Sequence, residues 1–221
     1  MQKKPSNIGL LVAFIITGCW ATSIILLMRW HFSFSNPLVY VLVLVQMHLY
    51  TGLFITAHDA MHGTISPVRR LNNFVGYLCT LLYASFWYPQ LYTKHHLHHS
   101  HVHGDEDPDY HNGGFWSWYT RFIRNYLSVW QILIMAILFN ILKWWVPQQN
   151  LLMFWVLPSL LSTLQLFYFG TYQPHKGKPA NVYYARSQRT NHFFAFISCY
   201  FFGYHYEHHH MPWVPWWRLW R

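Results

Sequence analysis

The sequence predicts an all-α integral membrane protein of about four transmembrane helices. Three observations carry this. Hydrophobic residues make up 53% of the 221 residues and charged residues only 10%, where a soluble domain carries about 25% charged residues. Four stretches of mostly apolar residues, 9–28, 37–57, 127–146 and 151–170, match the roughly 20 residues needed to cross a hydrocarbon core of about 30 Å. The cationic residues fall unequally on the two sides that those stretches define.

The first span follows Met1-Gln2-Lys3-Lys4. A basic start before an apolar run also opens a secretory leader, and Ile16-Thr17-Gly18-Cys19 has some likeness to a lipoprotein cleavage site. The apolar run continues to residue 28 with no A-x-A site after it, so it reads as a span. Short polar breaks at 29–36 and 147–150 pair the spans into two hairpins. The apolar stretches 78–87 and 193–202 are shorter, and read as interfacial or re-entrant helices or as lids over a site. No linker or low-complexity tract divides the chain, so residues 1–221 form one domain.

With the N-terminus inside, only Arg29 and Lys143 fall outside. The other thirteen of 15 cationic residues lie inside: Lys3, Lys4, Arg69, Arg70, Lys94, Arg121, Arg124, Lys176, Lys178, Arg186, Arg189, Arg218 and Arg221. The positive-inside rule therefore places both termini and both large loops in the cytoplasm. Segments 58–124 and 171–221 then hold fifteen of the 17 histidines, all but His31 and His48, and all 6 carboxylates. The net charge of +9 is that of cationic loops; no basic run is long enough to track a phosphate backbone, which excludes nucleic acid as a partner. Cys19, Cys79 and Cys199 share no C-x-x-C spacing, which argues against structural zinc, iron–sulfur clusters and a disulfide scaffold; they read as buried, inert thiols.

The histidines form three clusters on that inner side. His58-Asp59-Ala60-Met61-His62 follows the second span, and residues four apart share a helix face. In His95-His96-Leu97-His98-His99, residues 95, 98 and 99 fall at i, i+3 and i+4 while His96 points elsewhere. His205-Tyr206-Glu207-His208-His209-His210 repeats that spacing, with His210 as the off-face neighbour. His175 leaves the fourth span as His58 leaves the second. Neutral imidazole suits Zn, Cu, Fe or Ni. Eight histidines exceed what one tetrahedral zinc uses, so two metal ions fit better, with positions left open for O2. The H-E-x-x-H of zinc peptidases is absent. A metal transporter or storage protein would carry ionisable groups within its spans, which here hold only His48 and, near one end, Lys143.

The boxes resemble those of the membrane fatty-acid desaturase and hydroxylase superfamily. The stretches around them are similar to its β-carotene ketolase branch of bacteria and cyanobacteria: TAHDAMHG at 56–63, the second box with its closing DEDPD at 94–109, FGTYQPH at 169–175, ARS at 185–187 and GYHYEHHHMPWVPWWRL at 203–219. They are scattered over about 160 residues in family order, and the tail and FGTYQPH are the most specific. The resemblance implies a helical membrane anchor under a cytoplasmic helical cap. It implies nine iron ligands: His58, His62, His95, His98, His99, His175, His205, His208 and His209. Desaturases of known fold often have Asn four residues before the ninth ligand; Thr171 stands there.

The implied reaction is O2-dependent oxidation at C4 of a β-ionone ring, a weak allylic C–H. Two hydroxylations give a geminal diol that loses water to a ketone, taking β-carotene to echinenone and canthaxanthin on the way to astaxanthin. The implied cofactors are two non-haem iron ions, with O2 as co-substrate. Electrons come from a reduced electron-transfer protein such as a ferredoxin, since no flavin, nicotinamide or haem motif is visible. The carotenoid reaches the site from the lipid bilayer. A carotenoid 3-hydroxylase or an acyl-lipid desaturase of the same superfamily is the alternative.

Ligating histidines usually donate their second N–H to a carboxylate or carbonyl, so Asp59, Asp107 and Glu207 are candidates for that role, while Asp107 and Asp109 stand equally between it and a solvated loop acid. Asp105 and Glu106 read as solvated. His31, His48, His101, His103, His111 and His192 read as structural or interfacial. Trp213, Trp216, Trp217 and Trp220, like Phe115, Trp116, Trp118 and Tyr119, read as an interfacial belt or as walls of a substrate entrance.

Overall fold

The computed structural model describes residues 7–188 and 191–220. Lys3, Lys4, Arg189 and Arg221, counted above on the inner side, lie outside them. The described residues form helices α1 (Ile8–Arg29), α2 (Leu38–Met61), α3 (Arg69–Ala84), α4 (Tyr88–Ser100), α5 (Phe115–Tyr126), α6 (Val129–Leu142), α7 (Gln148–His175), α8 (His192–Cys199) and α9 (His205–His210). The only strand-like pairing among them is a bridge between Ser187 and Tyr204.

Helices α1, α2 and α7 are long and apolar enough to cross a membrane. Their outward faces carry side chains that water would not hold, such as Phe14 at 76% exposure. The second helix of each hairpin overruns the expected span. Helix α2 continues to Met61, so His58 and Asp59 sit on the same rigid helix as the apolar core. Helix α7 continues to His175 through π turns at Leu152–Val156 and Tyr168–Tyr172. Each π turn ends shortly before a proline, Pro158 or Pro174. Proline lacks an N–H and crowds the preceding turn, and widening that turn lets the helix run on.

The expected third span, 127–146, is not one straight helix. Helix α6 has 14 residues, about 21 Å at 1.5 Å per residue, short of the hydrocarbon thickness. The Ser128 side chain accepts the Gln131 N–H at 3.1 Å and caps α6, and the chain turns 83° there between α5 and α6. The two helices make a fourth span only as a bent pair. The stretch 78–87 forms the end of α3 and its turn, and 193–202 forms most of α8. Cys79 and Cys199 are buried, but Cys19 is exposed, on the outer face of α1.

Helix α2 is central and packs against α1, α3 and α7. Polar contacts lock this packing. Thr51 and Ser162 hydroxyls lie 2.8 Å apart, and the Tyr83 hydroxyl meets Ser162 at 3.1 Å and Thr163 at 2.9 Å, joining α2, α7 and α3. Asn150 Nδ2 donates to the carbonyls of Leu27 and Trp30 at 2.7 Å, satisfying acceptors that the end of α1 leaves open. The bundle so fixed brings the C-terminal ends of α2 and α7 to one side, where α4 and α9 lie across them.

Candidate metal centre

Nine buried or half-buried histidines meet at that side in two groups. His58, His62, His95, His99 and His208 form the first, and His98, His175, His205 and His209 the second. Within each, one ring nitrogen per residue lies within 4.8 Å of all the others. In the first group the Nε2 atoms of His62 and His95 are 2.6 Å apart, and those of His99 and His208 3.0 Å. In the second, His209 Nε2 is 3.1 Å from His205 Nε2 and 3.2 Å from His98 Nε2. These are the nine residues named from the sequence.

The two groups interlock. On α4, His95 and His99 enter the first group while His98 enters the second. On α9, His205 and His209 enter the second while His208 enters the first. Residues at i and i+4 differ by about 40° around a helix and those at i and i+3 by about 60° in the opposite sense. Each H-x-x-H-H box therefore gives its i, i+4 pair to one group and its middle histidine to the other.

Local hydrogen bonds fix which nitrogen faces inward. His98 Nδ1 donates to Asp107 Oδ1 at 2.8 Å, and His175 Nδ1 donates to the Tyr184 carbonyl at 2.9 Å. Their Nε2 atoms are thereby left as lone pairs. Among the described residues His175 Nε2 is buried with no hydrogen-bond partner, as are both ring nitrogens of His58. A buried acceptor without a partner is costly, and a cation at each group would satisfy it. Burial, and then neighbouring histidines, push His95, His205, His208 and His209 well below the ordinary histidine range. They are held neutral, the form that ligates metal. His98 runs the other way: burial lowers it, but the Asp109 charge and the Asp107 hydrogen bond outweigh burial and raise it.

The chain matches the fatty acid desaturase family over residues 35–134 and 114–221. It is 36% identical over 220 residues to a β-carotene ketolase of Paracoccus sp. (strain PC1), covering 96% of this chain and 90% of that protein. The chain belongs to the fatty acid desaturase family. It is also 42% identical over 197 residues to a β-carotene ketolase of Haematococcus lacustris, covering 80% of this chain, and 43% identical over 182 residues to a zeaxanthin 4-ketolase of Chlamydomonas reinhardtii, covering 77%. The chain spans only 59% and 41% of the length of these two relatives. No solved structure matches it.

Around this desaturase-family site, the three carboxylates expected to support ligands part company. Asp107 is buried against His98 and also accepts the N–H groups of His103 and Asp109, both at 2.9 Å. Asp59 Oδ1 is 3.8 Å from His58 Nδ1, too far for a hydrogen bond, and its Oδ2 accepts the Trp216 N–H at 3.1 Å. It ties α2 to the C-terminal tail instead. Glu207 makes no hydrogen bond to any of the nine among the described residues, because on α9 it lies between His205 and His208, off the face they share.

The remaining histidines stay outside both groups. His96 packs on the Tyr92 ring, and exposed His210 pairs with the Tyr183 hydroxyl at 3.1 Å. His48 stacks on Tyr200 and His103 on Tyr110. His101 faces Glu106 at 3.5 Å, and His111 and His192 pair with the Ser117 and Tyr204 hydroxyls. His31 is exposed.

A largely apolar cavity of about 350 Å³ opens beside the histidines, reaching His58 and His95 of the first group and His98 and His205 of the second. Phe54, Tyr119, Phe122 and Phe202 are among its walls, with Thr171 at the α7 end. Of the aromatics weighed as entrance walls, Tyr119 lines this cavity, whereas Trp216 is buried against Tyr200 and Phe201. Sequence reasoning missed Phe54, Phe122 and Tyr126, which stand in stretches with no local signal of a cavity.

Proposed function

We propose that the nine histidines bind two iron ions and that the chain is a β-carotene 4-ketolase, an O2-dependent oxygenase that turns the C4 methylene of a β-ionone ring into a ketone. The observation that carries this is an interlocked pair of buried histidine groups opening on an apolar cavity, in a desaturase-family chain similar to ketolases along most of its length. The metal pair, when bound, supplies the O2 activation that no side chain can supply.

The reaction balances with an external reductant. Each hydroxylation consumes one O2, two electrons and two protons, places one oxygen atom in a C–H bond and releases one water. A second round at the same carbon gives the geminal diol, which loses water to the ketone. The electrons come from a reduced electron-transfer protein such as a ferredoxin.

The chain's own residues supply position. Asp107 and the Tyr184 carbonyl hold the tautomers of His98 and His175. The cavity walls exclude water and seat an apolar ring against the histidines of both groups. The rest of the carotenoid extends toward the bilayer. With thirteen of the 15 cationic residues on one side of the spans, both termini and the histidine site face the cytoplasm.

Expression in a bacterial host that makes β-carotene tests the reading, with pigments carrying a ketone at C4 as the expected result. Pigments without that ketone, from a folded and iron-loaded membrane protein, would exclude it. Hydroxylated rings or new double bonds in membrane lipids would point to a 3-hydroxylase or a desaturase.

A further inference from the structure

Ketone formation needs two oxidations at one carbon. After the first the ring is an alcohol, and an apolar cavity holds an alcohol less well than the parent hydrocarbon, because the hydroxyl has left its water partners. The cavity has one feature suited to that problem. Several of its polar side chains already have partners: Gln131 Nε2 donates to the Ala84 carbonyl at 2.8 Å, Ser159 to the Val156 carbonyl at 2.8 Å, and Thr163 to the Ser159 carbonyl at 2.9 Å. Asp109, the cavity's one carboxylate among the described residues, differs.

Asp109 is fixed from three directions. Its N–H donates to Asp107 Oδ1 at 2.9 Å, Trp118 Nε1 donates to its carbonyl at 2.6 Å, and the Tyr126 hydroxyl donates to its Oδ1 at 2.5 Å. Its Oδ2 accepts no hydrogen bond from any described residue and stands 3.9 Å from His98 Nδ1, at the edge of the histidine site. Tyr126 lines the same wall.

We propose that Asp109, oriented by Tyr126, binds a hydroxyl on the substrate ring and so keeps the ring in place for ketone formation. The hydroxyl donates to Asp109 Oδ2. It is either the one made at C4 by the first oxidation or one already present on the neighbouring carbon. The proposal rests on the ketolase reading above.

The test is binding of ring probes to the full-length, metal-loaded protein in lipid nanodiscs, read by tryptophan fluorescence. The probes are β-ionone, 4-hydroxy-β-ionone and 3-hydroxy-β-ionone. The wild-type protein should bind a hydroxylated probe roughly tenfold more tightly than β-ionone, the value of one good hydrogen bond. The probe that shows the preference identifies which hydroxyl is read. Asp109→Leu should abolish the ratio, and Tyr126→Phe, which keeps the carboxylate, should reduce it. In β-carotene-producing cells Asp109→Leu should raise the proportion of 4-hydroxy product over ketone, a shift that a general loss of folding or metal would not produce.

Equal affinity for all three probes in the wild type, or a preference that survives both Asp109→Leu and Asp109→Asn, overturns the proposal. If the wild type still forms the ketone, the ketolase reading stands without it. Failure to bind any ring probe, with no oxidation at C4, overturns both.

Discussion

His98 Nδ1 donates to Asp107 Oδ1 at 2.8 Å, and both side chains are buried. One carboxylate therefore fixes the tautomer of the histidine that crosses from its own box into the other group. Asp107→Ala should cost about 10- to 100-fold in metal affinity, the usual effect of losing such a partner. Metal content after dialysis against graded chelator measures it; wild-type retention would show that the hydrogen bond is dispensable.

His98→Ala should remove metal and activity together while leaving membrane insertion intact. His96→Ala should do much less, because its ring packs on Tyr92 at 4.2 Å outside both groups. Metal analysis of the two purified variants separates a face of the helix from a count of histidines. Equal loss in both would refute the grouping.

Removing metal should make stability depend on pH in one direction. His62, His95, His99, His205, His208 and His209 all titrate below the ordinary histidine value of 6.5 in the folded chain, chiefly through burial. Above that value neither state is protonated and no penalty exists. As pH falls below it the unfolded state takes up protons that the folded state refuses, so stability drops, by up to about 1.4 kcal/mol per pH unit for each such group. His98, with its raised value, acts in a different window: its stabilisation is complete below 6.5 and is lost only as pH rises through its folded value. The metal-free protein should melt lower at pH 5.5 than at pH 7.5, and an unchanged melting temperature would count against neutral burial of the clusters.

Gly170 has no room for a side chain. A Cβ there would lie 2.2 Å from the Phe202 ring, which packs on His58 at 4.8 Å and His205 at 5.3 Å. Gly170→Ala should destabilise by about 1–3 kcal/mol, as overpacking does, and should lower turnover by displacing a cavity wall. Thermal denaturation and pigment yield report the two effects separately.

The sequence by itself determined the helical class, the apolar segments and the nine histidines. The spans rest on about 20 apolar residues each and eight of the histidines on i, i+3, i+4 spacing, while His175 rests on its place after the fourth span and on the resemblance. It offered Asp107 beside Asp59 and Glu207 as a partner for a histidine, and of the three Asp107 makes that contact. It misjudged Asp59 and Glu207, whose directions depend on what packs against them: the Trp216 N–H takes Asp59, and the turn of α9 points Glu207 away from the histidines. For 127–146 it gave no sign of the 83° bend that Ser128 helps to set at the start of the run, or of how short the helix Val129–Leu142 is.

Only the tertiary structure decided how the nine histidines divide. The spacing made His95, His98 and His99 look convergent, yet His98 joins His205 and His209 while His208 joins His95 and His99. A helix places its i+4 and i+3 neighbours on opposite flanks of one stripe. Which flank meets which group depends on how α4 and α9 lie across the ends of α2 and α7. That placement is set by contacts between residues more than 100 positions apart, such as His98 with His209 and His99 with His208, and no local pattern encodes it.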